Sequence, residues 1–418
     1  MGEYMKKMIS YFMIIVFCFS FASCSKEKDK EKVQGNITIM AYDEYFSLAE
    51  IAKEKFKVDN EGIDINIKKL DGKVNDEELK KIMEEQCDIA ILPNYTSQRF
   101  MLDNSDIFES LNGYGEGYIK DFDKNRLKNV VLQKEVKAIP IDTKPVALIY
   151  QKHIIEEMKI DKNEIITWND LENIGIKLKE TGIAALGVTF NGDLSIYSLM
   201  MNQLNLDYID EELKSTINSD ESKEILKLLK RFYEEGIIKI YDNNDELLNG
   251  ANKGEIFSFL SRSTDLQILQ NQWKENSWEI IKAPGFEPGG NRDMVVYGGN
   301  AVLMKASKQK EIASKFMIYM TTNKEVLLEG MAKLYIMPDY KPIYKNEIFD
   351  KEVEYINNKK IYSFYESILK NAAPREYNGK YSEIDDYLKE NLMTIIQYDN
   401  LEDILKQKDI EINELLRK

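Results

Sequence analysis

Between Asn36 and Leu92 the chain switches repeatedly between the two hydrophobic periods of regular structure, and no other feature restricts its fold as much. Asn36 to Ala41 reads as a strand, and Tyr45 to Val58 carries Leu48, Ile51, Ala52 and Phe56 at helical spacing. Ile63, Ile65 and Ile67 alternate with polar residues as a strand does, Glu77 to Glu85 is helical, and Ile89 to Leu92 is a short buried strand. This β-α-β-α-β order predicts an α/β fold, a parallel sheet with helices on both faces. Ligands of such sheets bind where strands end and loops begin. The loops so placed are Tyr42-Asp43-Glu44 and Pro93-Asn94-Tyr95.

A second block repeats the pattern. Thr167 and Asp170 form a capping-box pair opening a helix that runs to Lys179, with Ile166 and Leu171 as its expected hydrophobic staple. A strand follows at Ala184 to Phe190, helices fit Leu194 to Leu204, Ser222 to Glu234 and Asp245 to Ala251, and Ile256 to Leu260 is a further buried strand. The tail from Glu352 is helical with short interruptions. Two α/β domains with added helices are expected.

The N-terminus carries a different signal. Lys6 and Lys7 precede an apolar run from Met8 to Ala22, long enough for a signal-peptide core and shorter than the roughly 20 residues that span a bilayer. Phe21-Ala22-Ser23-Cys24 then resembles the lipobox of bacterial lipoproteins, with Phe21 in the place of the usual Leu. The resemblance implies cleavage after residue 23, lipidation of Cys24 and attachment to the extracytoplasmic face of a cell membrane. The charged stretch Ser25 to Gln34 would be a solvated tether reaching at most about 35 Å. Cys87 would remain as the single cysteine of the mature chain besides Cys24, so no disulfide is expected. Abundant Lys, Ile and Asn hint at a low-GC, Gram-positive source.

With 57 basic and 72 acidic residues the net charge is −15. Such a surface repels phosphate backbones, so nucleic acid is not an expected partner. Catalytic signals are equally weak. His153 is the one histidine, no His/Cys/Asp cluster has metal spacing, and no nucleophile elbow or phosphate-cradling loop occurs. Neither metal nor cofactor is expected. A carboxylate pair among so many acidic residues keeps an exported glycosidase as the enzyme alternative.

Four stretches, in order, resemble family 1 extracellular solute-binding proteins. Lys137-Ala138-Ile139-Pro140 with Ala147-Leu148-Ile149-Tyr150 is similar to the segment that crosses between lobes. Thr167-Trp168-Asn169-Asp170-Leu171 resembles the family's Thr-Trp-Asp-Glu-Leu, with Asn169 for Asp. Gly254-Glu255-Ile256-Phe257 resembles a strand that ends at the ligand cleft. Tyr297-Gly298-Gly299-Asn300, Ala306-Ser307-Lys308 and the run from Ala313 to Met320 are similar to its return crossing and following helix.

The resemblance implies a two-lobed periplasmic-binding-protein type II fold of the maltose-binding kind, monomeric, feeding an ABC importer, with sugars or oligosaccharides as the commonest cargo. It divides the chain into a signal peptide (1–23), a tether (24–34), lobe 1 (35–141 and 298–340) and lobe 2 with C-terminal helices (142–297 and 341–418). The residues it places at the cleft are Tyr42, Asp43, Glu44, Asn94, Tyr95, Asp142, Lys144, Asn191, Asp193, Tyr197, Ser261, Arg262, Tyr297 and Asn300. Carboxylates, amides and Arg bond sugar hydroxyls, and aromatic faces stack on the ring. Arg262, following an apolar run, belongs at a strand end, in the cleft or paired with a carboxylate. Where the family often has Gly-Pro-Trp this chain has Ser261-Arg262-Ser263-Thr264, which leaves room for an acidic ligand. A polyamine drawn to Asp43, Glu44, Asp142 and Asp193, and a sensor presenting its ligand to a membrane partner, are the other readings.

Overall fold

The computed structural model describes residues 34–70, 76–114, 116–272, 277–357, 359–375, 377 and 380–417. The predicted signal peptide, Cys24 and the tether up to residue 33 lie outside them. β1 (Gly35–Ala41), β2 (Ile63–Lys69) and β3 (Ile89–Pro93) are the strands expected from the opening alternation. β4 (Val131–Leu132) and β5 (Glu135–Val136) form a small ribbon, and β6 (Ile139–Pro140) leads into the long β7 (Thr143–Gln151). β8 (Ala184–Thr189), β9 (Ile238–Tyr241), β10 (Ile256–Arg262), β11 (Trp278–Ile281), β12 (Met294–Tyr297) and β13 (Gly299–Leu303) follow.

They form two mixed sheets. The first has the order β2-β1-β3-β13-β6, with β1 parallel to β2 and β3, and β13 antiparallel to β3 and β6. The second has the order β11-β7-β10-β8-β9, with β12 paired to the first half of β7 and β11 to the second. The pleat sorts side chains to two faces. In β1, Ile37, Ile39 and Ala41 enter one apolar cluster with the helices Asp43–Asp59 and Lys310–Thr322, and Met40 enters another with Leu79, Met83 and Cys87. Ile37 and Ile39 are fully buried, each contributing roughly 1.5–3 kcal/mol. Burial raises the Cys87 thiol to about 12, so it stays protonated and packs as a small apolar group.

The second sheet is covered on both faces as well. One cluster joins β7, β8 and β12 to the helices Trp168–Leu178, Ile196–Gln203 and Asp220–Glu234, and to Ile384, Leu388, Leu392 and Ile395 of the C-terminal helix Tyr381–Gln397. The expected capping box is present, with Thr167 and Asp170 bonded to each other's backbone N–H. The expected staple is not made by Ile166, which is 39% exposed; its neighbour Ile165 is buried instead.

The chain passes between the sheets in three neighbouring segments: residues 141–142, residue 298 and residues 337–339. They are laced by backbone bonds, from Gly298 N–H to Asp142 O (3.0 Å), Thr143 N–H to Met337 O (3.1 Å) and Asp339 N–H to Ile141 O (3.0 Å). No helix among the described residues is long and apolar enough to cross a membrane.

Candidate functional site

The crossing segments frame a polar core that would cost several kcal/mol if any member lost its partner. Arg126, in the short helix Lys124–Lys128, is fully buried. It donates to Asp339 Oδ2 (2.7 Å), Asn94 Oδ1 (2.5 Å), Asn300 Oδ1 (3.0 Å) and Gly299 O (3.1 Å), and its guanidinium stacks 4.7 Å from the centre of the Tyr297 ring. Asp339 also accepts from Thr143 Oγ1 (2.7 Å), and Asn300 Nδ2 donates to Asn94 Oδ1 and Ser97 Oγ. One arginine therefore ties the 337–339 crossing and the start of β13, just past the crossing at residue 298, to the first residue of the helix Asn94–Asp103 that follows β3.

Asp142 occupies the other side of the same junction. Its Oδ1 accepts from Tyr45 Oη (2.9 Å) and Gly299 N–H (3.0 Å), and its buried Oδ2 has no partner among the described residues. Burial raises its carboxyl to about 6; Lys144 opposes the rise and Glu44 adds to it. A carboxyl with a folded-state pKa above its ordinary value of about 3.9 weakens the fold at neutral pH, and that cost disappears as pH falls through 6 toward 4. Asp142→Asn is therefore expected to gain about 1–2 kcal/mol at pH 7.5, with the gain shrinking toward zero near pH 4. Urea unfolding of both proteins across this range checks it; a gap that widens on acidification contradicts it.

Beside this junction lies a cavity of about 310 Å³. On the side of the first sheet it is lined by Pro93, the last residue of β3, and by Glu44 and Tyr95 in the first turns of the helices that follow β1 and β3; Lys144 of β7 and Gly192 line it from the second, and Gly298 from a crossing. The start of helix Tyr381–Gln397 closes it with Tyr381, Ser382, Asp385, Asp386 and Lys389. Lys144 is buried and pairs with Glu44 at 2.5 Å. Burial alone would raise the Glu44 carboxyl, but the charges of Lys144 and Arg262 outweigh it and hold the carboxyl below its usual value. The pair is preorganised, with Glu44 still about a third exposed to the cavity.

Of the residues expected at the cleft, Glu44, Tyr95 and Lys144 line this cavity. Tyr42 caps the adjacent helix and packs against the first sheet's cluster. Asp43 and Asp193 have side chains outside the described set. Asn94, Asn300 and the Asp142 Oδ1 belong to the crossing network, and Tyr297 packs its ring on Arg126 while its hydroxyl accepts from the Arg375 backbone N–H. Asn191 turns its amide to Asp242 O. Arg262 ends β10 and pairs with Asp265 at 2.8 Å, the carboxylate alternative anticipated for it. Ser261 is buried, bonded to the Arg262 carbonyl. Tyr197 departs from expectation: it faces the core rather than the cavity, its hydroxyl on Ser222 and its ring stacked on Tyr208, because the helix Ile196–Gln203 is buried all round.

Two sets of residues were not anticipated. Arg126 lies in a charged stretch that reads as solvated loop, and nothing local marks it as buried. Tyr381, Ser382, Asp385, Asp386 and Lys389 line the cavity from a C-terminal helix whose apolar stripe signals only packing. Among the described residues no group of three or more His, Cys, Asp or Glu could hold a metal ion.

The profile of the family described as bacterial extracellular solute-binding protein matches residues 43–326. An arabinooligosaccharide-binding protein of Bacillus subtilis (strain 168) is 22% identical over 212 residues, covering 47% of this chain and 46% of that protein. An arabinooligosaccharide-binding protein of Halalkalibacterium halodurans is 23% identical over 253 residues, covering 59% and 57%. The chain thus spans about half the length of these curated relatives. In three dimensions it is similar to the GacH receptor of Streptomyces glaucescens GLA.O, with TM-score 0.77, 12% identity and coverage of 92% of this chain and 99% of that one. The sugar-binding protein MalE from Xanthomonas citri gives TM-score 0.75 and 15% identity, covering 92% and 98%. These structural likenesses establish the two-lobed fold.

Proposed function

The chain belongs to the bacterial extracellular solute-binding protein family, and from that premise we propose that it captures a sugar or oligosaccharide between its lobes and delivers it to an ABC importer. The observation that carries this reading is the cavity of about 310 Å³ walled by both sheets and by the helix Tyr381–Gln397, with Glu44, Lys144, Asp385 and Tyr95 as hydroxyl-bonding and ring-stacking groups. Its size is at the low end of small-molecule sites. The names of the two curated relatives support a carbohydrate cargo. The family is one of binding proteins, not enzymes, and its setting is extracytoplasmic.

The lobes would be 35–141 with 298–340, and 142–297 with 341–418, hinged at the three crossings. Closure follows when a ligand contacts both walls and so binds the closed form better than the open one. The lipobox-like sequence before Cys24 supports attachment to the membrane through a lipid, with Ser25 to Gln34 as leash, and the receptor acts as a monomer.

A thermal-unfolding panel of pentose and hexose mono- and oligosaccharides tests the cargo. A ligand at 100 times its Kd stabilises by about 2.7 kcal/mol. Stabilisation by spermidine and by no saccharide would replace the carbohydrate reading with a polyamine one.

A further inference from the structure

We propose that the cleft has a second, cationic subsite, built on Arg375 and Lys128, that seats the carboxylate of an acidic saccharide. The proposal rests on the carbohydrate-receptor reading and narrows its cargo to uronic-acid-bearing sugars.

The subsite is a cavity of about 260 Å³ between the two bodies. Gln98, Asn125, Lys128 and Asn129 line it from the first, and Arg375 and Tyr377 from the second. Among the described lining residues two are cationic and none is a carboxylate. The first cavity differs, with Glu44, Asp385 and Asp386 set against Lys144 and Lys389. The cleft is therefore polarised, and one part of it is cationic although the chain as a whole carries a net charge of −15.

The state of Arg375 is the independent observation. It is 3% exposed, yet every acceptor on its guanidinium is neutral. Nη1 donates to the Ser198 carbonyl (2.9 Å), Nη2 to Ser198 Oγ (2.6 Å) and Tyr381 Oη (3.1 Å), and the buried Nε has no partner among the described residues. The Tyr377 ring lies 5.4 Å from it. Asp207 acts on it through space. Taking a charge out of water costs several kcal/mol unless a counter-charge repays it. At Arg126 the protein supplies one, Asp339 at 2.7 Å. At Arg375 no carboxylate among the described residues accepts a bond from the guanidinium, so the acceptor it lacks is one that enters the cavity. Lys128, exposed on the opposite wall, adds a second cation.

The two cavities adjoin. Tyr377, in the cationic one, meets Tyr381, in the first, edge to face at 4.5 Å. Arg99 reaches from the helix that carries Gln98 to Ser382 at 3.2 Å, between them. A saccharide with hydroxyl-rich rings beside Glu44 and Lys144 could then place a ring carboxylate against Arg375, where a charge-assisted bond in a dry site is worth about 1.5–3 kcal/mol, or roughly 10- to 100-fold in affinity.

Calorimetric titration of the full chain with trigalacturonate and a glucuronic-acid-substituted xylotriose, against galactotriose and unsubstituted xylotriose, tests this. At least one acidic probe should bind about 10-fold or more tighter than its neutral counterpart, and this preference should fall as salt rises. Lys128→Ala, on the surface and outside the fold's core, should weaken the acidic probe several-fold and leave the neutral one unchanged. Arg375→Gln should abolish the preference, with a circular-dichroism spectrum showing whether the variant keeps the fold; if it does not, Lys128→Ala decides alone. Neutral saccharides binding as well as acidic ones, or Lys128→Ala without effect on either, overturns the subsite and leaves the carbohydrate receptor standing. Binding of neither class overturns both. Inorganic phosphate binding as tightly as the acidic sugars overturns the saccharide assignment.

Discussion

Arg126→Ala is expected to cost about 3–5 kcal/mol in urea unfolding at pH 7, a large share of the 5–15 kcal/mol that holds a typical native fold. The size follows from what the substitution leaves behind. Asp339, 3% exposed, would keep only the Thr143 hydroxyl, and Asn94 Oδ1, Asn300 Oδ1 and the Gly299 carbonyl would each lose a donor in a dry site. The loss should also depend on pH. Burial already holds the Asp339 carboxyl above its usual range, with Arg126 opposing. Without Arg126 the carboxyl rises further and can escape its cost by taking a proton, so the variant's deficit should be larger at pH 8 than at pH 5. Arg126→Lys should recover part of the stability, since an ammonium keeps the charge without the fork that reaches four acceptors. A loss below 1 kcal/mol for Arg126→Ala would mean that the crossing network is not what ties the segments together.

Gly298→Ala is the second large effect. Gly298 joins β12 to β13, and a Cβ there would lie 1.9 Å from Asp142 Oδ1 and 2.8 Å from the Asp142 carbonyl. Neither obstacle can swing away: the carboxylate is held by Tyr45 and Gly299, and the carbonyl accepts the Gly298 N–H. Room, rather than a left-handed backbone, makes glycine necessary here. Overpacking of this kind costs about 1–3 kcal/mol. Because the displaced groups belong to two crossings, ligand affinity should fall as well, by about tenfold if the lobes can no longer meet at the right angle. Unchanged stability and affinity in this variant would show that the crossings tolerate separation.

These two positions mark how far the sequence could be read. The strands β1 to β3 were legible because each pattern is local: Ile63, Ile65 and Ile67 alternate in the half-exposed edge strand β2, and Ile89 to Leu92 form the unbroken apolar run of a strand buried on both faces. Thr167 and Asp170 were legible because a capping box is local, written within four residues. Glu44 and Tyr95 followed from the rule that ligands bind where strands end, Lys144 from the family resemblance at the crossing, and all three line the cavity. Arg126 left no such trace, because its burial depends on Asp339, Asn94 and Asn300, all distant in sequence. Tyr197 misled for the same reason: its position after a strand suggested the cleft, whereas a helix buried on every side turned it to Ser222. The cleft contribution of Tyr381 and Asp385 was hidden behind the stripe of Ile384, Leu388 and Leu392, which reports packing and says nothing of the opposite face.

The central claim is that two lobes close on a saccharide about the crossings at residues 141–142, 298 and 337–339. Small-angle scattering of the full chain, with and without a saccharide that stabilises it in the thermal panel, tests this most directly. The radius of gyration should fall on addition of that saccharide and stay constant with a non-binding sugar. An identical scattering curve at saturating ligand would contradict closure.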